Sequence, residues 1–225
     1  MTHKLEKKAL EEPDKLTVLF LKIRVFVETH RSKIYFGAGI VAVIFVIAGG
    51  FYLYQTNYEN KAAGFYNGAL TAHVKAGSPD GDESLIKGLK ELLSRYPRSN
   101  VASLGYYRLG NLYYSRRDYE ASEASYHAFI KRASPDNDLV TLAYNGLGAC
   151  EEQKKDLKKA LEFYELAMKT KTASAFEVIN YTNIAGVYEG LKDNKKAVEF
   201  YQKALLKTTD PARSILIKRK LSLLS

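Results

Sequence analysis

The side chains that most often carry chemistry are scattered along this chain and form no catalytic or metal-binding pattern. None of the four histidines has a second metal ligand at zinc-site spacing; they are His3, His30, His73 and His127. Gly146-Leu147-Gly148 resembles the start of a nucleotide-binding loop, but a third glycine and a preceding strand are missing. No nucleophile elbow, P-loop or zinc-protease motif occurs. We therefore predict a protein that is not an enzyme and that has no metal or cofactor.

Two further candidates for chemistry have ordinary explanations. Cys150 is the only cysteine, so no internal disulfide can form; we expect a small buried thiol, with intermolecular pairing as the alternative. The neighbouring acids Glu151 and Glu152 are expected on a solvated helix face and not in a catalytic pair. Function must then lie in how the helices of this chain are arranged.

The second half of the chain repeats one apolar pattern three times. The copies start at Tyr106, Tyr144 and Tyr181, which are 38 and 37 residues apart. Large and small residues recur at i, i+3 and i+4, followed by a second apolar set, so each copy predicts two amphipathic helices. The matching positions are Leu109, Gly110, Tyr113, Ser122, Tyr126 and Phe129; Leu147, Gly148, Ala160, Tyr164 and Ala167; and Ile184, Ala185, Tyr188, Ala197, Tyr201 and Ala204.

This pattern resembles the tetratricopeptide repeat, a helix pair of about 34 residues. Tyrosine stands where that repeat usually has tryptophan, and Glu151 stands where a tyrosine is expected. Small residues at Gly110, Gly148 and Ala185 would let the second helix of each pair approach closely. The three or four extra residues per copy imply longer helices or longer loops between repeats. We predict an all-α repeat array, with a generic helical bundle as the alternative.

One uncharged apolar stretch, residues 34–54, is 21 residues long. As a helix it would span roughly 30 Å, the thickness of the hydrocarbon core of a bilayer. A buried core helix and a cleaved signal peptide fit its length and polar flanks less well. The predicted organisation is a basic cytoplasmic tail with an amphipathic helix (1–33), a transmembrane helix (34–54), a degenerate first helical pair (55–100), three tetratricopeptide repeats (101–210) and a C-terminal capping helix (211–225).

Charge predicts the orientation of that transmembrane helix. Eight lysines and arginines precede it, whereas Lys61 is the only one in the twenty residues that follow. Because basic flanks resist translocation, we expect the N-terminus in the cytoplasm and the C-terminal domain in the periplasm. The membrane that the helix crosses would then be a bacterial inner membrane. The net charge of +9 divides into +3 for residues 1–33 and +6 spread over the rest, so nucleic acid is not an expected partner.

Two segments near the membrane are candidates for further contacts. The amphipathic residues 15–28 would lie along the cytoplasmic membrane surface or pack on a partner. Ala38, Ala42 and Gly49 fall near one face of the transmembrane helix, where small residues let another helix approach. A passive tether is the alternative for that face.

The repeat resemblance implies a partner-binding groove on the concave side, lined by the first helix of each pair. The implied groove residues are Tyr107, Asn111, Tyr114, Asn145, Ala149, Glu152, Gln153, Thr182, Gly186 and Glu189. We expect Tyr107, Asn111 and Tyr114 to share a free face while Tyr106 and its stripe pack in the core. The alternative is a wet polar groove without a ligand. Of the clamp with which some relatives hold a terminal carboxylate, only Asn111 is present, so an acidic C-terminal tail is not an expected ligand.

The layout of the whole chain resembles the bacterial YfgM-like proteins, ancillary subunits of the Sec translocon. The resemblance includes the basic tail, the single span, the repeats and the closing apolar and basic helix. It implies association with translocon subunits and periplasmic chaperones, and no small-molecule substrate. A scaffold for another envelope complex, such as cell-division or export machinery, is the alternative. An organelle import receptor would place the repeats in the cytosol, against the charge asymmetry.

Overall fold

The computed structural model describes residues 15–77 and 80–224, and these residues form helices joined by short connections. No strand occurs within those ranges, so the predicted all-α fold is confirmed. Predictions for residues 1–14, Ser78 and Pro79 lie outside the described residues. The chain divides into two compact units, Met1–Thr56 and Asn57–Ser225.

The first helix, α1, runs without interruption from Lys15–Ala76, a length of 62 residues. The sequence predicts an amphipathic helix, a transmembrane helix and a first repeat helix as three elements. They form one helix because no proline separates them, and each glycine within a helix costs only about 1 kcal/mol relative to alanine. The apolar side chains in residues 34–54 are exposed almost throughout. In the part of the chain that the structure describes, α1 alone is long and apolar enough to cross a membrane.

The helices that follow α1 form antiparallel pairs. Helix α2 (Asp80–Arg95) packs on the last part of α1, where Ala62, Tyr66 and Ala69 contact leucines of α2. Three similar pairs follow, and a final helix, α9 (Pro211–Leu224), packs on the last of them. The three pairs are α3 (Asn100–Ser115) with α4 (Tyr119–Ile130), α5 (Asp138–Gln153) with α6 (Leu157–Met168), and α7 (Glu177–Gly190) with α8 (Asn194–Lys207).

The same tight turn joins the two helices of each of these three pairs. Its middle residue has a left-handed backbone, with φ of 62° at Arg117, 68° at Lys155 and 62° at Lys192. An aspartate then caps the second helix, because its side chain accepts a hydrogen bond from a backbone N–H in the first turn. The caps are Asp118, Asp156 and Asp193. The residues beyond 34 per repeat lie mainly between repeats, in 131–137 and 169–176.

Close approach within each pair depends on a tyrosine of the second helix. Tyr126, Tyr164 and Tyr201 are buried, and each packs against its own first helix. A methyl group added at Gly110 would lie 2.6 Å from the Tyr126 ring, and one added at Gly148 would lie 2.5 Å from the Tyr164 ring. The predicted role of these small residues is confirmed.

Some residues expected in the core lie at its edge. Tyr106 is half-buried, with the Arg132 guanidinium 4.7 Å from its ring centre, and Tyr113 is half-buried beneath Lys90. Long charged side chains cover these rings, so Tyr106 is not the fully buried aromatic that the sequence predicts. In α9 the buried residue is Ile217.

Two glycines provide a matched test of this packing. Gly148→Ala is expected to lower the free energy of unfolding by about 1–3 kcal/mol, because the added methyl group meets a ring that cannot move. Gly186→Ala is expected to raise it by up to about 1 kcal/mol, since Gly186 lies within α7 with no atom within 4 Å of an added methyl group. Urea unfolding of both variants measures the difference. Equal effects would contradict this account of the fold.

Candidate partner-binding groove

The first helix of each pair lies on the inner side of the array. Helix α3 contacts α5, and α5 contacts α7, so the first helices of successive pairs lie next to each other. We call α3, α5 and α7 the inner helices and α4, α6 and α8 the outer helices. The surface of the inner helices that faces away from the outer helices is the groove that the sequence predicts.

Helix α9 follows the same pattern as the inner helices. Four buried residues recur at intervals of 38, 37 and 37 residues: Gly105, Ala143, Asn180 and Ile217. Four residues later come Leu109, Leu147, Ile184 and Leu221, which are buried in the first three helices and half-buried in α9. Helix α9 therefore takes the place of a fourth inner helix, and the description of it as a cap is incomplete.

Three of the predicted groove residues accept hydrogen bonds from the outer-helix tyrosines. The Tyr126 hydroxyl donates to Asn111 Oδ1 over 2.6 Å, and the Tyr201 hydroxyl donates to Glu189 Oε2 over 3.0 Å. The Tyr164 hydroxyl donates to Glu152 Oε2. Burial raises the pKa of all three tyrosines, so their hydroxyls stay protonated as donors. These groove residues therefore help to fix the helix pairs.

The two groove tyrosines of α3 are packed within the array and do not form a free face. The Tyr107 ring centre lies 5.4 Å from that of Phe129 and 6.0 Å from that of Tyr126. Tyr114 is half-buried, its ring lies against Tyr119, and burial raises its pKa. The expectation of a free tyrosine face is wrong, because the outer helix α4 and its leading turn cover these rings.

Asn145 is also unavailable to a partner, since it is only 7% exposed. Its side-chain amide donates to Asn180 Oδ1 over 2.7 Å, and its Oδ1 accepts from Asn183 Nδ2 over 2.7 Å. The nearby Thr141 hydroxyl bonds to threonines 170 and 172 in the connection after α6. Asn145 therefore holds the second and third repeats together, and its prediction as a groove residue is wrong.

The remaining predicted residues lie at the surface of the groove. Gln153 is exposed and accepts a hydrogen bond from the Tyr119 hydroxyl over 3.5 Å. Thr182 is half-buried and lines a cavity of about 430 Å³ between α7, α8 and α9. One repeat position, which we call the floor of the groove, carries Asn111, Ala149 and Gly186 in the inner helices and the larger Leu223 in α9.

Sequence reasoning missed the α9 residues that complete this end. Leu216, Arg219 and Leu223 line the same cavity as Thr182. A repeat period of 37 residues added to Ile179, Thr182 and Gly186 gives these three positions. That register was visible in the sequence, but α9 lacks the tyrosine that marks the start of the other inner helices.

The acids beside the groove are buried or paired and not solvated. Glu151 is only 4% exposed, and Lys154 contacts it at 3.2 Å while also contacting Glu123 at 2.8 Å. The expectation of a solvated Glu151–Glu152 face is wrong. Cys150, by contrast, is buried as predicted, and burial raises the pKa of its thiol to about 11. Within residues 15–77 and 80–224, no three histidine, cysteine or acidic side chains are grouped as metal ligands.

Stacked helix pairs with an inner groove define the class of α-helical repeat proteins. Residues 24–225 match the tetratricopeptide repeat-like domain, and the chain belongs to that family. The fold therefore indicates a scaffold that binds other proteins. The sequence matches no curated protein.

Solved structures of other proteins share this fold. Two crystal structures of MamA have 19% and 18% identity and TM-scores of 0.53 and 0.55. The matched parts cover 64% and 71% of this chain and 77% and 80% of the MamA chains. A structure of PilF from Pseudomonas aeruginosa has 13% identity and a TM-score of 0.56, covering 72% of each chain. At these identities the likeness concerns the fold alone.

Glu152 and Glu189 occupy equivalent groove positions but have opposite electrostatics. Burial raises the pKa of Glu152 and outweighs the hydrogen bond from Tyr164, which lowers it. A hydrogen bond from Lys220 lowers the pKa of Glu189, and this effect outweighs burial, which raises that pKa. The difference arises because α9 supplies Lys220 to Glu189, and Glu152 has no such partner among the described residues.

Replacing each acid by glutamine is expected to change stability in opposite directions. Glu189→Gln should lower the free energy of unfolding at pH 7 by less than about 1 kcal/mol, and the loss should vanish as pH falls through the lowered pKa. Glu152→Gln should raise the free energy of unfolding at pH 7. A carboxyl group whose pKa is raised on folding stabilises the folded protein fully below its unfolded pKa, near 4.5. That contribution is lost as pH rises through the raised pKa of the folded state. Thermal melts between pH 3 and 8 measure both. Changes of the same sign at pH 7 would contradict the assignment.

Proposed function

We propose that this chain is a single-pass membrane protein that holds other proteins in the groove of its repeat array. The observation that carries the proposal is the direct passage of one helix, α1, from an exposed apolar stretch into the first helical pair. Apolar surface on that scale is unfavourable in water and suits a bilayer. The tetratricopeptide repeat-like fold supports protein partners in general.

The proposed location is a bacterial inner membrane, with the N-terminus in the cytoplasm and the repeats in the periplasm. The charge asymmetry on the two sides of residues 34–54 supports this orientation. Ala38, Ala42 and Gly49 are exposed on α1, and no atom lies within 4 Å of a methyl group added at Gly49. We propose that this face meets a helix of a membrane partner, since small residues allow close packing in lipid.

The proposed partners are subunits of the Sec translocon and periplasmic chaperones that receive newly exported chains. Support comes from the resemblance of the whole layout to the YfgM-like proteins. A scaffold of another envelope complex, in cell division or export, is the other candidate. Catalysis is not proposed, because the polar groups along the groove are largely committed to hydrogen bonds between helices.

Topology tests the membrane proposal. A phosphatase that is active only after translocation, fused after Ser225, is expected to be active, whereas a fusion within residues 1–14 should be inactive. The physical reason is the retention of the basic N-terminal flank in the cytoplasm. Enzymatic assay of both fusions in intact cells measures the result. Activity of the N-terminal fusion alone would contradict the location and the translocon assignment together.

Filling the groove floor tests the binding site. Ala149→Leu with Gly186→Leu is expected to reduce recovery of the partner about tenfold or more, because both side chains would occupy the space of a bound segment. Ala124→Leu, on the exposed side of the outer helix α4, is the matched control and should leave recovery unchanged. Crosslinking in membranes followed by mass spectrometry measures recovery and identifies the partner.

The identity of the crosslinked proteins separates the two candidate functions. Translocon subunits and periplasmic chaperones are the expected products. Division or export proteins in their place would contradict the translocon assignment while leaving the scaffold role intact. Loss of recovery with Ala124→Leu and not with the groove variant would show that the outer surface binds the partner. Tyr107→Ala is not a suitable groove variant, because that ring packs against Phe129 and its loss would lower stability.

A further inference from the structure

Helix α9 brings an apolar wall and a cation to the C-terminal end of the groove. Leu216 and Leu223 line the cavity of about 430 Å³ together with the buried Ile217. Leu216 is nevertheless 61% exposed and Leu223 71% exposed. A cavity of this size is within the range that binds ligands in proteins, and it is recessed between three helices.

The two cations of the cavity are in different electrostatic situations. Lys220 Nζ lies 2.9 Å and 3.0 Å from the two carboxylate oxygens of Glu189, which neutralises it. The guanidinium of Arg219 makes no ion pair or hydrogen bond with residues 15–77 or 80–224. Helix α9 carries four basic residues and no acidic residue. Arg219 is therefore an uncompensated positive charge between two exposed leucines.

The acids on the helices that pack nearby are already paired. Glu177 contacts Lys207 at 2.9 Å, and Glu199 contacts Lys203 at 2.6 Å. The Tyr201 hydroxyl in the cavity donates to Glu189, and the Thr182 hydroxyl donates to the Val178 carbonyl oxygen over 2.6 Å. The array itself thus offers no carboxylate to Arg219, so a carboxylate that pairs with it comes from outside the array.

We propose that this end of the groove docks an acidic amphipathic helix of a partner protein. Leu216, Arg219 and Leu223 stand at i, i+3 and i+7 of α9, so they form one stripe of apolar, basic and apolar side chains. The complementary stripe on the partner is apolar, acidic and apolar at the same spacing. This inference rests on the proposed function, in that it names the chemistry that the scaffold groove selects.

A helical segment fits this site better than an anionic lipid surface does. Thr182 of α7 and Tyr201 of α8 form the cavity with α9, so the leucines border a recess and not a flat plane. A segment can enter such a recess, whereas a membrane surface would meet only its rim. The partner helix supplies a carboxylate that pairs with Arg219 while its apolar residues cover the leucines.

Selection from a peptide library tests the charge and the spacing together. The full chain in phosphatidylcholine nanodiscs is used to select from displayed helical peptides that are randomised along one face. The wild type is expected to enrich Asp or Glu between two large apolar residues. Arg219→Glu should exchange the enriched acid for Lys or Arg, and the peptide selected by the wild type should bind this variant at least tenfold more weakly in fluorescence anisotropy.

Lys218→Glu is the matched control, because it makes the same change of charge on an exposed residue outside the cavity. It should enrich the same peptides as the wild type. Circular dichroism and thermal melting establish that each variant is folded, and Leu216→Ser should weaken binding without changing the enriched charge. A selection without enrichment, or the same enrichment with Arg219→Glu as with the wild type, would overturn the proposal.

Two further outcomes would also overturn it. If Lys218→Glu exchanged the enriched charge as Arg219→Glu does, the preference would reflect overall charge and not this cavity. If amide exchange in α9 slowed on adding anionic lipid to the nanodiscs, with no peptide enriched, lipid would be the occupant. Partner recovery by crosslinking that persists in Arg219→Glu would leave the scaffold function standing while this site fails.

Discussion

The array depends on one contact, the packing of an outer-helix tyrosine against a small residue of the inner helix. Tyr164 is 1% exposed and lies so close to Gly148 that no side chain fits between them. The phenol then reaches past the inner helix, and its hydroxyl donates to Glu152. One side chain therefore sets the distance between two helices through its ring and their register through its hydroxyl.

The same contact determines which groups remain free for function. The tyrosine hydroxyls lie at the groove surface and donate hydrogen bonds to the polar residues there, so those residues are already engaged within the fold and are less available to a partner. In the third repeat Glu189 has two donors, Tyr201 and Lys220, and so joins α7, α8 and α9. Because Lys220 is committed there, its neighbour Arg219 is the charge of α9 that is left within the cavity.

Much of the fold could be predicted from the sequence because each repeat contains the residues that form its two helices and the contact between them. The spacing from Tyr144 to Gly148 and on to Tyr164 indicates two helices and their contact within a single copy. Contacts between copies leave no such trace. Asn145 looks like a surface amide in its own helix, and only the folded array places it against Asn180 and Asn183.

The site was predicted less completely for the same reason. Tyr107 lies on the groove side of α3 by its position in the helix, but the aromatic rings of α4 reach around to cover it. The repeat period makes Arg219 the equivalent of Thr182, and both line one cavity. The mostly basic and apolar composition of α9, however, predicted only a capping helix. Helix position therefore predicts the direction of a side chain better than its solvent exposure.

The burial of Cys150 makes the chain its own reporter of internal motion. This sole thiol lies in the core of the second repeat, and its Sγ is 3.3 Å from Ser122 Oγ of the repeat before it. Alkylating reagents attack the thiolate, which both burial and the raised pKa suppress in the closed array. The rate of alkylation therefore reports the opening of the middle of the array at one atom and without any added label, and it equals the opening rate when alkylation is faster than reclosing.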